Sequence, residues 1–316
     1  MEYIVLLIGF VLLIKGADFF VEGASSIAAT LRVPPLVIGL TIVAFGTSAP
    51  EMAVSVSSAL DGMNAISLGN VIGSNVFNML VVVGTSAVIW PLKVEKTIIV
   101  KELPFTLMSA VVLLVLSLDT MFQGQTTNYI ARGDGIILLI FFGIFMYSLA
   151  QVALAARRNN EPEEEIETMP MGKSIMFSIA GMLGIGIGGE WVVDGASAVA
   201  LTWGMSEALV GLTIIAIGTS LPELVTSIVA AKKGQSDMAL GNVIGSTIFN
   251  TFLILGVSTT INPIPVTSES IIDILIMITA ILEVYIFAAT KRTIGRVEGA
   301  LFLSVYIAYM AYIIIR

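Results

Sequence analysis

Long apolar stretches separated by short polar interruptions run from one end of the chain to the other. A helix needs about 20 apolar residues to cross a bilayer. On that measure the pattern predicts spans over 2–28, 36–60, 66–90, 98–118, 134–155, 172–200, 206–231, 236–261, 269–290 and 297–315. Most interruptions are short and carry turn formers, such as DGMN at Asp61 to Asn64 and KKGQ at Lys232 to Gln235. The one long interruption, ARRNNEPEEEIETMP from Ala156 to Pro170, has a glutamate run that composition predicts to be a solvated, mobile linker. It lacks the glycine turn and alternating ligands of a calcium loop. The predicted organisation is a first unit over 1–155, a cytoplasmic acidic linker over 156–171 and a second unit over 172–316.

The two units repeat each other without a gap at an offset of 172 residues. GLTIVAFGTSAPE (Gly39 to Glu51) matches GLTIIAIGTSLPE (Gly211 to Glu223) at ten of thirteen positions, and GNVIGSNVFN (Gly69 to Asn78) matches GNVIGSTIFN (Gly241 to Asn250) at eight of ten. GADFFVEGASSIA from Gly16 aligns with GGEWVVDGASAVA from Gly188, so each unit begins at its own first span. Five spans per unit is an odd number, so the second unit enters the membrane from the opposite side. The predicted fold is therefore an all-α polytopic membrane protein of ten transmembrane helices, built as two inverted five-helix repeats with broken second and seventh helices. Loop charge orients it. Arg32, Lys93, Lys96, Lys101, Arg157, Arg158, Lys173, Lys232, Lys233, Lys291, Arg292 and Arg296 fall on one side, against Arg132 and Arg316 on the other. The first side is thus expected to be cytoplasmic and both termini extracellular.

Composition narrows the chemistry. Apolar residues make up 57% of the 316 and charged residues only 12%, against about 25% charged in soluble domains. There is no cysteine and no histidine, which excludes disulfides, thiolate or imidazole metal sites and histidine acid-base chemistry. Any cation site must be built from oxygens. The N-terminus lacks the positive segment of a signal peptide and is expected to belong to the mature first span. Nothing in the sequence points to a cofactor, a nucleic acid or an obligatory protein partner.

The repeated motifs each place a glutamate behind a proline in an apolar run. Proline has no N–H and clashes with the carbonyl four residues back, so Pro50 is expected to free the carbonyl of Gly46, and Pro222 that of Gly218. Such carbonyls are tolerated at membrane depth only where they are buried in protein or line a polar cavity. Thr47 and Glu51 lie four apart, as do Thr219 and Glu223. Asn70, Ser74 and Asn78 form a stripe on the next helix, matched by Asn242, Ser246 and Asn250. Together they predict an oxygen cage with two carboxylates near the midplane. An ionised carboxylate there costs at least about 2.5–3.5 kcal/mol, and neither glutamate has a lysine or arginine near it in its own span. The missing partner is most simply a mobile cation, and either calcium or sodium fits the oxygen inventory. Gly69, Gly73, Gly241 and Gly245 read as helix-packing residues. Asp18 and Glu22 align with Glu190 and Asp194; these either line ion access paths or cap helices near an interface. Glu283 has no acidic counterpart, since Val111 aligns with it.

The paired motifs resemble the alpha-repeats of the calcium/cation antiporter superfamily, and the compact ten-helix form resembles its prokaryotic sodium/calcium exchangers. The resemblance implies that Glu51 and Glu223, with the backbone carbonyls of Thr47 and Thr219, hold calcium. It implies sodium sites drawing on the Ala44 carbonyl and Ser74 on one side and on the Ala216 carbonyl and Ser246 on the other. Asn78 and Asn250 complete the middle, and Ser48 and Ser220 join the same ligand set. It further implies exchange of three sodium ions for one calcium, with the first and sixth helices sliding to switch access. Some relatives carry aspartate where this chain has Asn250. Two formal charges then remain in the centre, which predicts electrogenic exchange without potassium. The short central linker has no room for a regulatory calcium-binding domain. The partners so implied are calcium, sodium and the lipid bilayer of a cell membrane. The readings left beside sodium exchange are proton/calcium antiport, since a buried glutamate can carry a proton, a cation channel and an intramembrane protease.

Overall fold

The structure is a computed structural model that describes residues 2–122, 124–159, 168–204 and 216–315. Among these, eight helices are long and apolar enough to cross a membrane: Tyr3–Leu31, Ala65–Ile89, Ile98–Leu116, Arg132–Arg158, Met171–Thr202, Ser236–Ile261, Ser268–Lys291 and Arg296–Ile315. They correspond to predicted spans 1, 3, 4, 5, 6, 8, 9 and 10. Span 2 is a bent pair, Pro35–Thr47 and Ala49–Leu60, turning by 51°. Span 7 has the equivalent second arm, Leu221–Lys232, behind a short turn of helix at Ala216–Gly218. Residues 205–215, which hold most of its first arm, and residues 160–167 of the acidic linker lie outside the described residues.

The breaks have a local cause. Ser48 leaves helical geometry at φ −84°, ψ 8°, and a new helix starts at Ala49 with Pro50 in its first turn and Glu51 behind it. Proline suits that position because its missing N–H has no partner in a first helical turn anyway. Ser220, Leu221, Pro222 and Glu223 repeat the arrangement. Each glutamate therefore sits at a helix N-terminus, where the helix dipole favours negative charge. The sequence shows the proline as a breaker; the structure shows that it also starts a helix around the carboxylate.

Spans 3 and 8 form the centre, with 72% and 89% of their most apolar stretches buried, against 17–39% for the other six complete spans. The GxxxG pair Gly241 and Gly245 lets span 8 reach the first arm of span 2, where a Cβ on Gly241 would lie 2.8 Å from the Leu36 carbonyl. The residues that the repeat would bring against Gly69 and Gly73, around 208–216, lie mostly outside the described residues.

Spans 1 and 6 run antiparallel in backbone contact. Gly9, Gly16 and Gly23 recur every seven residues, and so do Gly181, Gly188 and Gly195. Gly9 faces Val192, Gly16 faces Ile185 and Gly23 faces Ser178. The glycines remove the side chains that would hold the two helices apart.

The described residues include four short strands that the all-helical expectation lacks. Leu92–Lys93 pairs antiparallel with Thr293–Ile294, and Asn128–Ile130 with Ile264–Val266. Each pair ties a connection of one unit to a connection of the other. Segments of two or three residues are too short for hydrophobic periodicity to reveal.

Candidate ion-binding site

The two broken spans meet spans 3 and 8 through polar groups arranged with near twofold symmetry. Ser48 donates to Glu223 Oε1 at 2.9 Å, and Ser220 donates to Glu51 Oε1 at 3.0 Å, so each unit's serine holds the other unit's carboxylate. Ser74 and Ser246 lie 3.4 Å from Glu51 Oε1 and Glu223 Oε1 respectively. Ser220 also reaches Ser74 at 3.1 Å. Both glutamates are fully buried.

A further layer fixes the helix that carries each glutamate. Asn70 donates to the Glu51 carbonyl at 3.3 Å and to Ser55 Oγ at 2.9 Å. Asn242 does the same to the Glu223 carbonyl at 3.3 Å and to Ser227 Oγ at 2.9 Å. Asn70 and Asn242 belong to the predicted stripes but serve as braces here. Ser55 and Ser227 went unrecognised in the sequence, although both are serines at the repeat offset.

The Thr47 hydroxyl is turned into the protein, 3.0 Å from Asn242 Oδ1 and 3.1 Å from the Val43 carbonyl. The Thr219 hydroxyl lies beside Glu51 without a hydrogen bond of good geometry. The Ala44 carbonyl accepts from the Ser48 N–H at 3.0 Å, with the Thr47 hydroxyl at 3.3 Å. On the other side the Ser220 N–H bonds to the Ile217 carbonyl at 3.1 Å, one residue beyond Ala216. The backbone around the two alanines therefore departs from the repeat symmetry.

Asn78 and Asn250 stand in π-helical turns, Asn78–Val82 and Phe249–Ile254, which occur at matching places in the two units. Such turns widen a helix locally and are frequent at functional sites. Asn78–Val82 packs against the Glu223 arm, and Phe249–Ile254 against the Glu51 arm. Among the described residues, Glu51 Oε2, Glu223 Oε2, Asn250 Oδ1 and both amide atoms of Asn78 are buried without a hydrogen-bond partner. Four oxygens in this set want a donor or a cation, and a buried carboxylate oxygen left unpaired is costly.

The acidic residues of spans 1 and 6 divide. Glu190 and Asp194 line a cavity of about 600 Å³ whose wall includes Pro50, Thr219 and Pro222, beside the broken helices. Asp18 instead pairs with Lys233 at 3.4 Å and Lys15 at 3.7 Å.

An inverted helical scaffold with buried carboxylates and neutral oxygens at its centre defines a membrane protein that binds cations. Residues 1–150 and 173–315 match the family described as sodium/calcium exchanger protein, and the chain belongs to that family. The sodium/calcium exchanger MaX1 of Methanosarcina acetivorans is 33% identical over 98% of this chain and 97% of its own. The inner membrane protein YrbG of Escherichia coli is 32% identical over 97% of this chain and 94% of its own. A solved structure of the sodium-calcium exchanger NCX_Mj, soaked with sodium and strontium, superposes with a TM-score of 0.84 at 34% identity, covering 98% of this chain and 97% of that one. The chain is accordingly a membrane antiporter of the cation/calcium class and not an enzyme.

Proposed function

We propose that the chain exchanges sodium for calcium by alternating access, without potassium and with net movement of charge. The observation that carries this reading is the set of unpartnered oxygens on Glu51, Glu223, Asn78 and Asn250, contributed in matched fashion by both units. Calcium takes six to eight hard oxygens, and two carboxylates balance its charge. Ser48, Ser220, Ser74 and Ser246, with the carbonyls of Thr47, Thr219, Ala44 and Ala216, complete the ligand set for calcium and for flanking sodium ions. With no third carboxylate at Asn250, three sodium ions carry one positive charge more than the two glutamates balance. Removing potassium from both sides should leave calcium flux unchanged; a requirement for potassium would contradict this assignment.

The rigid pair formed by spans 1 and 6 is the element proposed to slide. Both termini are proposed to face outwards, so the Lys233 turn is cytoplasmic, and residues 156–171 join the two five-helix units on that side. The cavity bearing Glu190 and Asp194 is proposed as an ion approach.

The two ends of the sliding pair are held differently. Besides the Asp18–Lys233 pair, Ser25 donates to Gln235 at 2.7 Å. The repeat counterparts are Glu190 with Asp61 and Ser197 with Met63, and neither can form the same bond. Lys233→Ala should speed labelling of a cysteine placed at Ala28, read with a membrane-impermeant thiol reagent from that face. The expected gain is about two- to fivefold, the size of an exposed ion pair. Unchanged labelling would mean that the pair does not hold this end closed.

A further inference from the structure

Asn75 breaks the repeat, because its counterpart is Thr247. It is fully buried between spans 3 and 8. Asn250 donates its amide N–H to Asn75 Oδ1 at 3.1 Å, and Asn75 donates to Thr251 Oγ1 at 2.9 Å, with Met277 Sδ at 3.4 Å from the same nitrogen. The Thr251 hydroxyl is itself anchored on the Thr247 carbonyl at 2.9 Å. This chain of bonds has a direction. Thr251 fixes which end of the Asn75 amide donates, so Asn75 presents an oxygen to Asn250, and Asn250 must answer with its nitrogen.

An amide has one end that can ligate a cation and one that repels it. With the Asn250 nitrogen committed to Asn75, Asn250 Oδ1 remains buried and unpartnered. Asn78, the repeat counterpart of Asn250, has neither amide atom engaged. The two central asparagines therefore differ: one is held with its oxygen presented, and no hydrogen bond among the described residues orients the other.

We propose that Asn75 is a positioning residue that holds Asn250 with its amide oxygen presented to the transported cation. The inference rests on the reading of the cage as a cation site. Preorganising a ligand in this way removes an ordering cost from ion binding. It does so in a chain that has an asparagine, not a carboxylate, at position 250.

The informative substitution is Asn75→Thr, because the fold already accepts threonine at the equivalent place. There the Thr247 hydroxyl turns back onto its own helix, donating to the Val243 carbonyl at 2.9 Å. A threonine at 75 would do the same towards Val71 and release Asn250. Purified protein is titrated with calcium and, separately, with sodium, reading the rise in thermal unfolding temperature. Asn75→Thr should weaken the apparent calcium affinity about five- to tenfold, the size of one buried neutral hydrogen bond. A carboxylate presents oxygen whichever way it turns, so in an Asn250→Asp background the same substitution should change affinity less than about twofold.

Wild-type affinity in Asn75→Thr, or an equal loss in both backgrounds, would overturn the inference. If Asn75→Thr yields no folded protein, isosteric Thr251→Val carries the test. It removes the group that orients Asn75 and should weaken calcium binding about two- to fivefold, the lower part of the same hydrogen-bond range; unchanged affinity again overturns the proposal. Failure of the wild type to respond to either ion would instead sink the cation-site reading on which it rests.

Discussion

Replacing Glu51 with glutamine is expected to abolish calcium exchange while leaving the protein folded. At an effective dielectric of about 20, a unit charge some 2.5 Å from a divalent ion contributes on the order of 10 kcal/mol before desolvation. Losing half of the cage's charge should therefore reduce flux by far more than a hundredfold. The ion-free protein should respond in the opposite sense. It holds two fully buried carboxylates, each with an unpartnered oxygen, and burying an ionisable carboxyl costs more than burying a neutral amide. Glu51→Gln should thus unfold at a higher temperature than the wild type without ions, and calcium should no longer stabilise it. Glu223→Gln should behave alike, since Ser48 and Ser220 couple the two carboxylates reciprocally. Wild-type flux in either variant would remove the central assignment.

The second large effect is expected at the seam between spans 1 and 6. A Cβ on Gly188 would lie 2.5 Å from the Leu13 backbone nitrogen, and one on Gly16 would lie 2.7 Å from that of Ile185. Backbone cannot move aside as a side-chain tip can, so Gly188→Leu should force the helices apart. The cost should reach about 3 kcal/mol or more, at or above the upper end of ordinary overpacking. Gly186, two residues away on the same helix, has open space where its Cβ would go. Gly186→Ala should be neutral or stabilising by up to about 1 kcal/mol through helix propensity. Thermal unfolding in detergent compares the three proteins. Equal stability of Gly188→Leu and wild type would show that the seam is not a close-packed unit.

Much of this architecture was legible in the sequence because the membrane makes few demands and enforces them strictly. Ten apolar stretches and a gapless repeat gave the helices and their inversion, and the described ends lie within a few residues of those expected. Glu51 and Glu223 stood out because an unpaired charge in an apolar run needs a reason. Asn70 and Asn242 were visible as stripe residues, but their work as braces depends on how the broken arms fold back, which helical spacing does not report. Asn75 gave no repeat signal at all, since its counterpart is a threonine. The short strands arise from contacts between units, which local propensity does not encode, and the π-helical turns at Asn78 and Asn250 are too short to alter the hydrophobic period.

One measurement tests directly whether the cage couples sodium to calcium. The direct measurement is calcium uptake into proteoliposomes loaded with sodium, with proton and potassium gradients imposed separately and the membrane potential clamped. Uptake driven only by the outward sodium gradient, and accelerated by an inside-positive potential, is the predicted result. Uptake driven by an outward proton gradient in the absence of sodium would contradict the account and make Glu51 and Glu223 proton carriers instead.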